Sequence, residues 1–328
     1  MLSRIAENLY WIGRYVERAE NTARLLDVNY LAVVESSSND LIAEQWEPLL
    51  TIIDDDDAAF CQHYAEKDRD NVSDWLAFNR DNASSITSSL TFARENARTL
   101  RDRISLEMWE AMNRAYLEYC VDSQDVLAKE SLHNYCAGVR DASHLFFGIA
   151  DATMPRDLGW FFMRAGQYLE RSDNVLRILT LRYRQQKNAL IAQEVRTHRS
   201  VALLRTVSAL EAFRKQYHTG IHPDEVAEFL LLNADFPRSV RFSLRVVHEI
   251  LKEIQTRNDA AVAKTPVRQA GWLAARLEYL PDAKQVFENE DPPAEDLLDD
   301  IASLSNTISQ AYFVFNSDSE QAQLQQQT

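Results

Sequence analysis

Apolar residues near the start of the chain recur at regular steps. Ile5, Leu9, Ile12, Val16, Ala19, Ala23, Leu26 and Tyr30 are spaced 4, 3, 4, 3, 4, 3 and 4 residues apart. That spacing keeps them on one face of a 3.6-residue turn, so it predicts a long helix seamed against other helices. Shifted by 153 residues, the seam returns as Leu158, Phe162, Ala165, Leu169, Ser172, Leu176, Leu179 and Tyr183. Its one polar step, Ser172, is still small enough for close helix approach. The polar positions between the seams return as well. Residues 13–30 (GRYVERAENTARLLDVNY) and 166–183 (GQYLERSDNVLRILTLRY) are identical at eight of eighteen positions, among them Glu17/Glu170, Arg18/Arg171, Asn21/Asn174 and Arg24/Arg177.

A second block repeats at nearly the same offset. WLAFNRDNASSITSSL (75–90) matches FLLLNADFPRSVRFSL (229–244) after 154 residues, with Asn79/Asn233, Asp81/Asp235, Ser85/Ser239 and Ser89/Ser243 coincident. The pattern predicts a short apolar helix, a turn and a new helix capped by Asp81 or Asp235, with Pro237 suited to a first turn. Pro223 before Asp224 and Glu225 marks another helix start, as do Thr265 with Pro266 and, further on, Asp291 with its prolines. Turn chemistry for strands is absent, and the last twelve residues are polar and expected to fray. The expected fold is an all-α helical bundle built from two tandem pseudo-repeats of long amphipathic helices, residues 1–153 and 154–328, sharing one core.

On the first helix Tyr10, Arg14, Glu17, Asn21 and Arg24 lie along one stripe, with Arg18 and Glu20 beside it. The second carries Met163, Gln167, Glu170, Asn174 and Arg177, with Arg171 and Asp173 beside it. Two readings stand. Glu and Arg could interlock across the contact between the two helices and fix its register. Alternatively the ladders could face each other across a polar cleft, arginines gripping an anion and Glu17 and Glu170 acting as acid–base groups. A third possibility is an adaptor whose docking surface lies elsewhere. Glu95 and Glu249, related by the 154-residue offset, could add carboxylates to such a cleft.

Composition narrows the classes of function. The 328 residues carry a formal net charge of −15, which argues against nucleic acid and anionic membrane surfaces. The acidic runs at 54–57 and 288–300 read as solvated loops or faces. Three cysteines have no metal spacing, and neither a leader nor a membrane span is apparent, so a cytoplasmic protein is expected. The two histidines in HTGIH (218–222) belong to an inter-helix loop, Ser-Asp-Asn at 172–174 lacks its catalytic companions, and His144 on an apolar helix reads as an interior histidine. No nucleotide-binding motif is present, and neither a cofactor nor a metal is expected.

Three separated stretches carry a family likeness: AENLYWIGRYVERAENTARLLD (6–27), RENARTLRDRISLEMWEAMN (94–113) and FFGIADATMPRDLGWFFMRAGQYLERSDN (146–174). The chain resembles the bacterial alpha-E family, a helical domain named for a Glu-Arg motif, whose function is unknown. The resemblance places that motif on Glu17-Arg18 and again on Glu170-Arg171. It also implies partners: an ATP-grasp-like amide ligase, which would supply any ATP binding, a transglutaminase-like peptidase and a peptide substrate. In that setting the chain would be an accessory or substrate-holding protein rather than an enzyme.

Overall fold

The computed structural model describes residues 3–35, 46–53, 57–121, 131–186, 193–218, 220–258, 264–287 and 293–314. Among these the chain is all helical: α1 (Ser3–Glu35), α2 (Glu47–Ile53), α3 (Asp57–His63), α4 (Arg69–Ala77), α5 (Ile86–Thr99), α6 (Leu106–Tyr116) with a π-helical extension (Leu117–Val121), α7 (Leu132–Thr153), α8 (Leu158–Gln186), α9 (Gln193–Thr206), α10 (Leu210–Gln216), α11 (Pro223–Leu232), α12 (Val240–Asn258), α13 (Lys264–Glu278), α14 (Lys284–Phe287) and α15 (Pro293–Tyr312). The two seams form the two longest helices, α1 and α8, which pack on each other more extensively than any other pair. Helices α5 and α7 flank α1, while α12 and α15 flank α8.

The seam residues from Leu9 to Leu26 and from Phe162 to Tyr183 are all buried. The larger apolar cluster draws on both halves of the chain, from Tyr10 and Trp75 to Leu251 and Ile308. A smaller one joins Leu9, Ile12 and Val16 of α1 to Ala93, Met108, Phe146 and Met163.

Several helix starts differ in detail from the sequence expectation. The caps of α5 and α12 are not Asp81 and Asp235. Ser85 Oγ accepts from the Ser88 N–H (3.1 Å), and Ser239 Oγ accepts from the Phe242 N–H (3.0 Å). A serine one residue before the helix reaches the N3 amide directly. Asp81 and Asp235 sit too early, each in a turn closed by its own N–H donating to the side chain of Asn79 or Asn233 (2.8 and 2.9 Å). Pro237 belongs to that turn, since α12 opens only at Val240. Pro223 does open α11, whereas Thr265 lies within the first turn of α13. Asp291, most of the acidic run at 54–57, residues 288–292 and the C-terminal tail lie outside the described residues.

The candidate Glu-Arg site

Helix α1 meets α8 with both helices running the same way. Gly13 lies against Met163 and Gln167, and Glu17 against Gln167 and Arg171. The contact is closest at two glycines. A Cβ built on Gly13 would collide with the Met163 carbonyl oxygen, and one on Gly166 with the Tyr10 carbonyl oxygen. Only hydrogen at these positions lets the two backbones approach so closely. The close approach brings the motif one turn further along each helix within reach of the other's side chains.

The motif glutamates cross over. Glu170, 3% exposed, receives Arg14 Nε (2.6 Å) on Oε2, and Arg18 on both oxygens through Nε (2.6 Å) and Nη2 (3.2 Å). Glu17, 1% exposed, is gripped by Arg171 through Nε (2.6 Å) and Nη2 (2.8 Å), and Gln167 Nε2 adds a bond of 3.1 Å. Arg238 stands 3.6 Å from the same carboxylate. Each motif arginine also lies over the tyrosine three residues before it, Arg18 over Tyr15 and Arg171 over Tyr168, at 5.8 and 5.0 Å from the ring centres. Arg14 extends the network to α15 by donating to Ser305 Oγ (2.6 Å), which also bonds to Tyr10 OH (3.1 Å).

The electrostatics follow from this geometry. Burial pushes the Glu170 carboxyl up, but Arg18 and Arg14 outweigh it and hold the group at about 2. Burial likewise works against the charge on Arg14 and Arg171, yet the facing glutamates leave both guanidiniums more basic than usual.

Of the other expected residues, Glu20, Asn21 and Arg24 occupy a second zone, whereas Asp173 acts on Arg14 at the crossing. Glu20 and Arg24 pair along α1, as Asp173 and Arg177 do along α8 (2.9 Å). Glu20 also accepts from Arg238 Nη2 (2.8 Å) and lies 3.3 Å from His144 Nε2. Burial alone would raise its pKa, but Arg238, His144 and Arg24 hold it well below the usual carboxylate range. Asn21 accepts from Arg238 (3.3 Å). Among the described residues, Glu20 Oε2, Asn21 Nδ2, Asn174 Nδ2 and Gln167 Oε1 are buried and make no hydrogen bond.

Glu95 and Glu249 do not join either zone. Glu95 lies on the outer side of α5 with Arg94 and Arg98 (2.6 and 2.8 Å), and Glu249 is exposed on α12. Matching offsets put them on equivalent helices but on faces turned from the crossing. His144 is not interior either. Its side chain is 55% exposed, because the apolar face of α7 holds Val139, Phe146 and Phe147 while His144 points to the rim. Arg238, Ser208, Asp27 and the two glycines were not anticipated. Of these, only Gly13 and Gly166 left a signal, as glycines at one offset inside helices of a glycine-poor chain.

No group of three or more possible metal ligands occurs among the described residues, and none of the described helices is long and apolar enough to cross a membrane. An all-helical domain with two buried, crossed Glu-Arg pairs is the class these features define. The chain belongs to the Alpha-E family, described as a predicted alpha-helical domain with a conserved ER motif, whose model matches residues 1–313. An uncharacterized protein of Mycobacterium bovis is 25% identical over 300 residues, 84% of this chain and 32% of the relative. One from Mycobacterium tuberculosis strain H37Rv is 24% identical with the same coverage. The chain thus spans about a third of the length of these relatives. No solved structure matches it.

Proposed function

We propose that the Glu-Arg motif is an interlock that fixes the parallel crossing of α1 and α8. On this reading the chain is a non-catalytic helical accessory protein rather than an enzyme built on that motif. One observation carries it: both motif glutamates are buried with both oxygens engaged by side chains of the facing helix. Such pairs add little net stability, but removing one member leaves a buried charge unmatched, so they select one register. An acid–base role for Glu170 is disfavoured, because a carboxyl held at about 2 carries no proton to donate at neutral pH. The mirrored contacts are what duplication of one helix would leave behind.

For the wider role, we infer action beside an ATP-grasp-type amide ligase and a transglutaminase-like peptidase, holding a peptide or scaffolding the assembly in the cytoplasm. This reading rests on the resemblance to the Alpha-E family. Three free cysteines fit a reducing compartment.

Urea unfolding of Glu17→Gln and Glu170→Gln, singly and together, tests the interlock. Losses of about 3–5 kcal/mol are expected for the singles, and unchanged or raised stability would overturn it. Co-purification with a tagged ATP-grasp-type ligase tests the wider role separately. Elution of the two as independent species at micromolar concentration would count against it.

A further inference from the structure

Helix α9 ends in a Schellman turn, with the Ser208 N–H donating to Arg205 O (3.0 Å) and the Ala209 N–H to Leu204 O (2.7 Å). The turn requires a left-handed residue at 208, where φ is 53°, and glycine is the usual occupant. Serine is the strained choice, and among the described residues it is the one non-glycine with positive φ. Strain of this kind concentrates at functional positions. Here the serine hydroxyl accepts from Nη1 of the buried Arg24.

The Nη2 of Arg24 lies 3.2 Å from His144 Nε2, so the exposed Ser208 and the exposed His144 flank one guanidinium edge. Glu20 fixes that guanidinium from behind through Nε. Among the described residues, these partners take three of its five N–H groups. Two more arginines stand close by, Arg238 on Glu20 (2.8 Å) and Arg140 on Asp27 (2.9 Å), with His133 also on Asp27. With the Glu17–Arg171 pair that Arg238 also approaches (3.6 Å), four guanidiniums (Arg24, Arg140, Arg171, Arg238) face three carboxylates (Glu17, Glu20, Asp27), a local cation excess in a chain of net charge −15.

We propose that Arg24, Ser208 and His144 form a binding site for a phosphate-type oxyanion, where α1, α7 and the turn after α9 meet. The site is separate from the Glu-Arg crossing and does not depend on the role given to it. A hydroxyl and an imidazole flank one guanidinium that keeps two N–H groups without a partner among the described residues, a donor set that suits a tetrahedral oxyanion with several acceptor oxygens. Ser208 turns its O–H to donate to the ligand, and the His144 ring N–H donates beside it. Burial, and then Arg238 and Arg140, depress the Arg24 pKa against the pull of Glu20, and a bound anion relieves that crowding.

The test is calorimetric titration of sodium phosphate, at ionic strength held constant with chloride, into wild type, Ser208→Gly and His144→Gln. Glycine suits the left-handed turn and residue 144 is exposed, so both variants fold. Saturable binding is expected in wild type and about tenfold weaker binding in each variant, the loss of one charge-assisted hydrogen bond. Acetate should bind wild type more weakly than phosphate. Absence of saturable heat, equal phosphate affinity in all three proteins, or acetate binding as tight as phosphate would each overturn the assignment.

Discussion

Two polar zones share helix α1 within four turns and are built differently. At the crossing, Arg14, Glu17 and Arg18 meet Gln167, Glu170 and Arg171, and every motif carboxylate oxygen has a cation or amide from the other helix. At the rim, Glu20, Arg24 and Asp27 meet His144, Arg140, His133 and Ser208, with cations in excess and two partners open to solvent. The lesson lies in the balance. Buried charges matched oxygen by oxygen fix one geometry and leave nothing for a ligand. Buried charge that is unmatched and reachable is held against the preference of the fold, which is where binding chemistry gathers.

The sharpest way to break this contrast is to separate the helices. Gly13→Ala and Gly166→Ala place a methyl group against a backbone carbonyl that no rotamer change can relieve. Each should cost about 3 kcal/mol, the upper range for overpacking, measured by urea unfolding. Gly148→Ala on α7 is the control. Its Cβ meets nothing within 4 Å, so the helix interior should gain up to about 1 kcal/mol from the better helix former. Equal outcomes at the three glycines would mean that the close approach does not govern stability.

Acid sharpens the comparison from the other side. Glu170 is depressed from 4.5 to about 2, so the unfolded chain takes up its proton at higher pH than the native state. Its stabilisation is therefore complete above about 4.5 and is lost as pH falls towards 2, in all about 3 kcal/mol. Between pH 6 and pH 3 the stability gap between wild type and Glu170→Gln should narrow by about 2 kcal/mol. A gap independent of pH would mean that the carboxylate charge is not what the arginines hold.

What the sequence disclosed followed the range of the forces involved. The seams of α1 and α8 were legible because helical periodicity is a local property, and burial of Leu9 through Leu26 follows from it. The stripe of Arg14, Glu17 and Arg18 was legible as a polar ladder, but not whether it faced a partner helix or a cleft. That depends on how closely the two helices approach, which the two glycines permit. The cap of α5 was not legible, because Asp81 and Ser85 are both good capping residues and only the turn closed by Asn79 decides between them. Ser208 and Arg238 were beyond reach, since each acts through a contact with α1 about 180 or more residues away in sequence.

The smallest expected effect concerns Glu95 and Glu249. They share the 154-residue offset, yet they stand outside both zones, Glu95 on the outer side of α5 and Glu249 exposed on α12. Exposed ion pairs are screened by water and lose side-chain freedom when they form, so Arg94 and Arg98 add little to Glu95. Glu95→Gln and Glu249→Gln should each change unfolding free energy by less than about 0.5 kcal/mol, and phosphate binding at the rim should not move. Glu170→Gln makes the same chemical change behind two arginines at 3% exposure, so the comparison holds chemistry fixed and varies only burial and partners. A loss at Glu95 approaching that at Glu170 would show that matched offset, rather than the crossing of α1 with α8, decides which carboxylates the fold depends on.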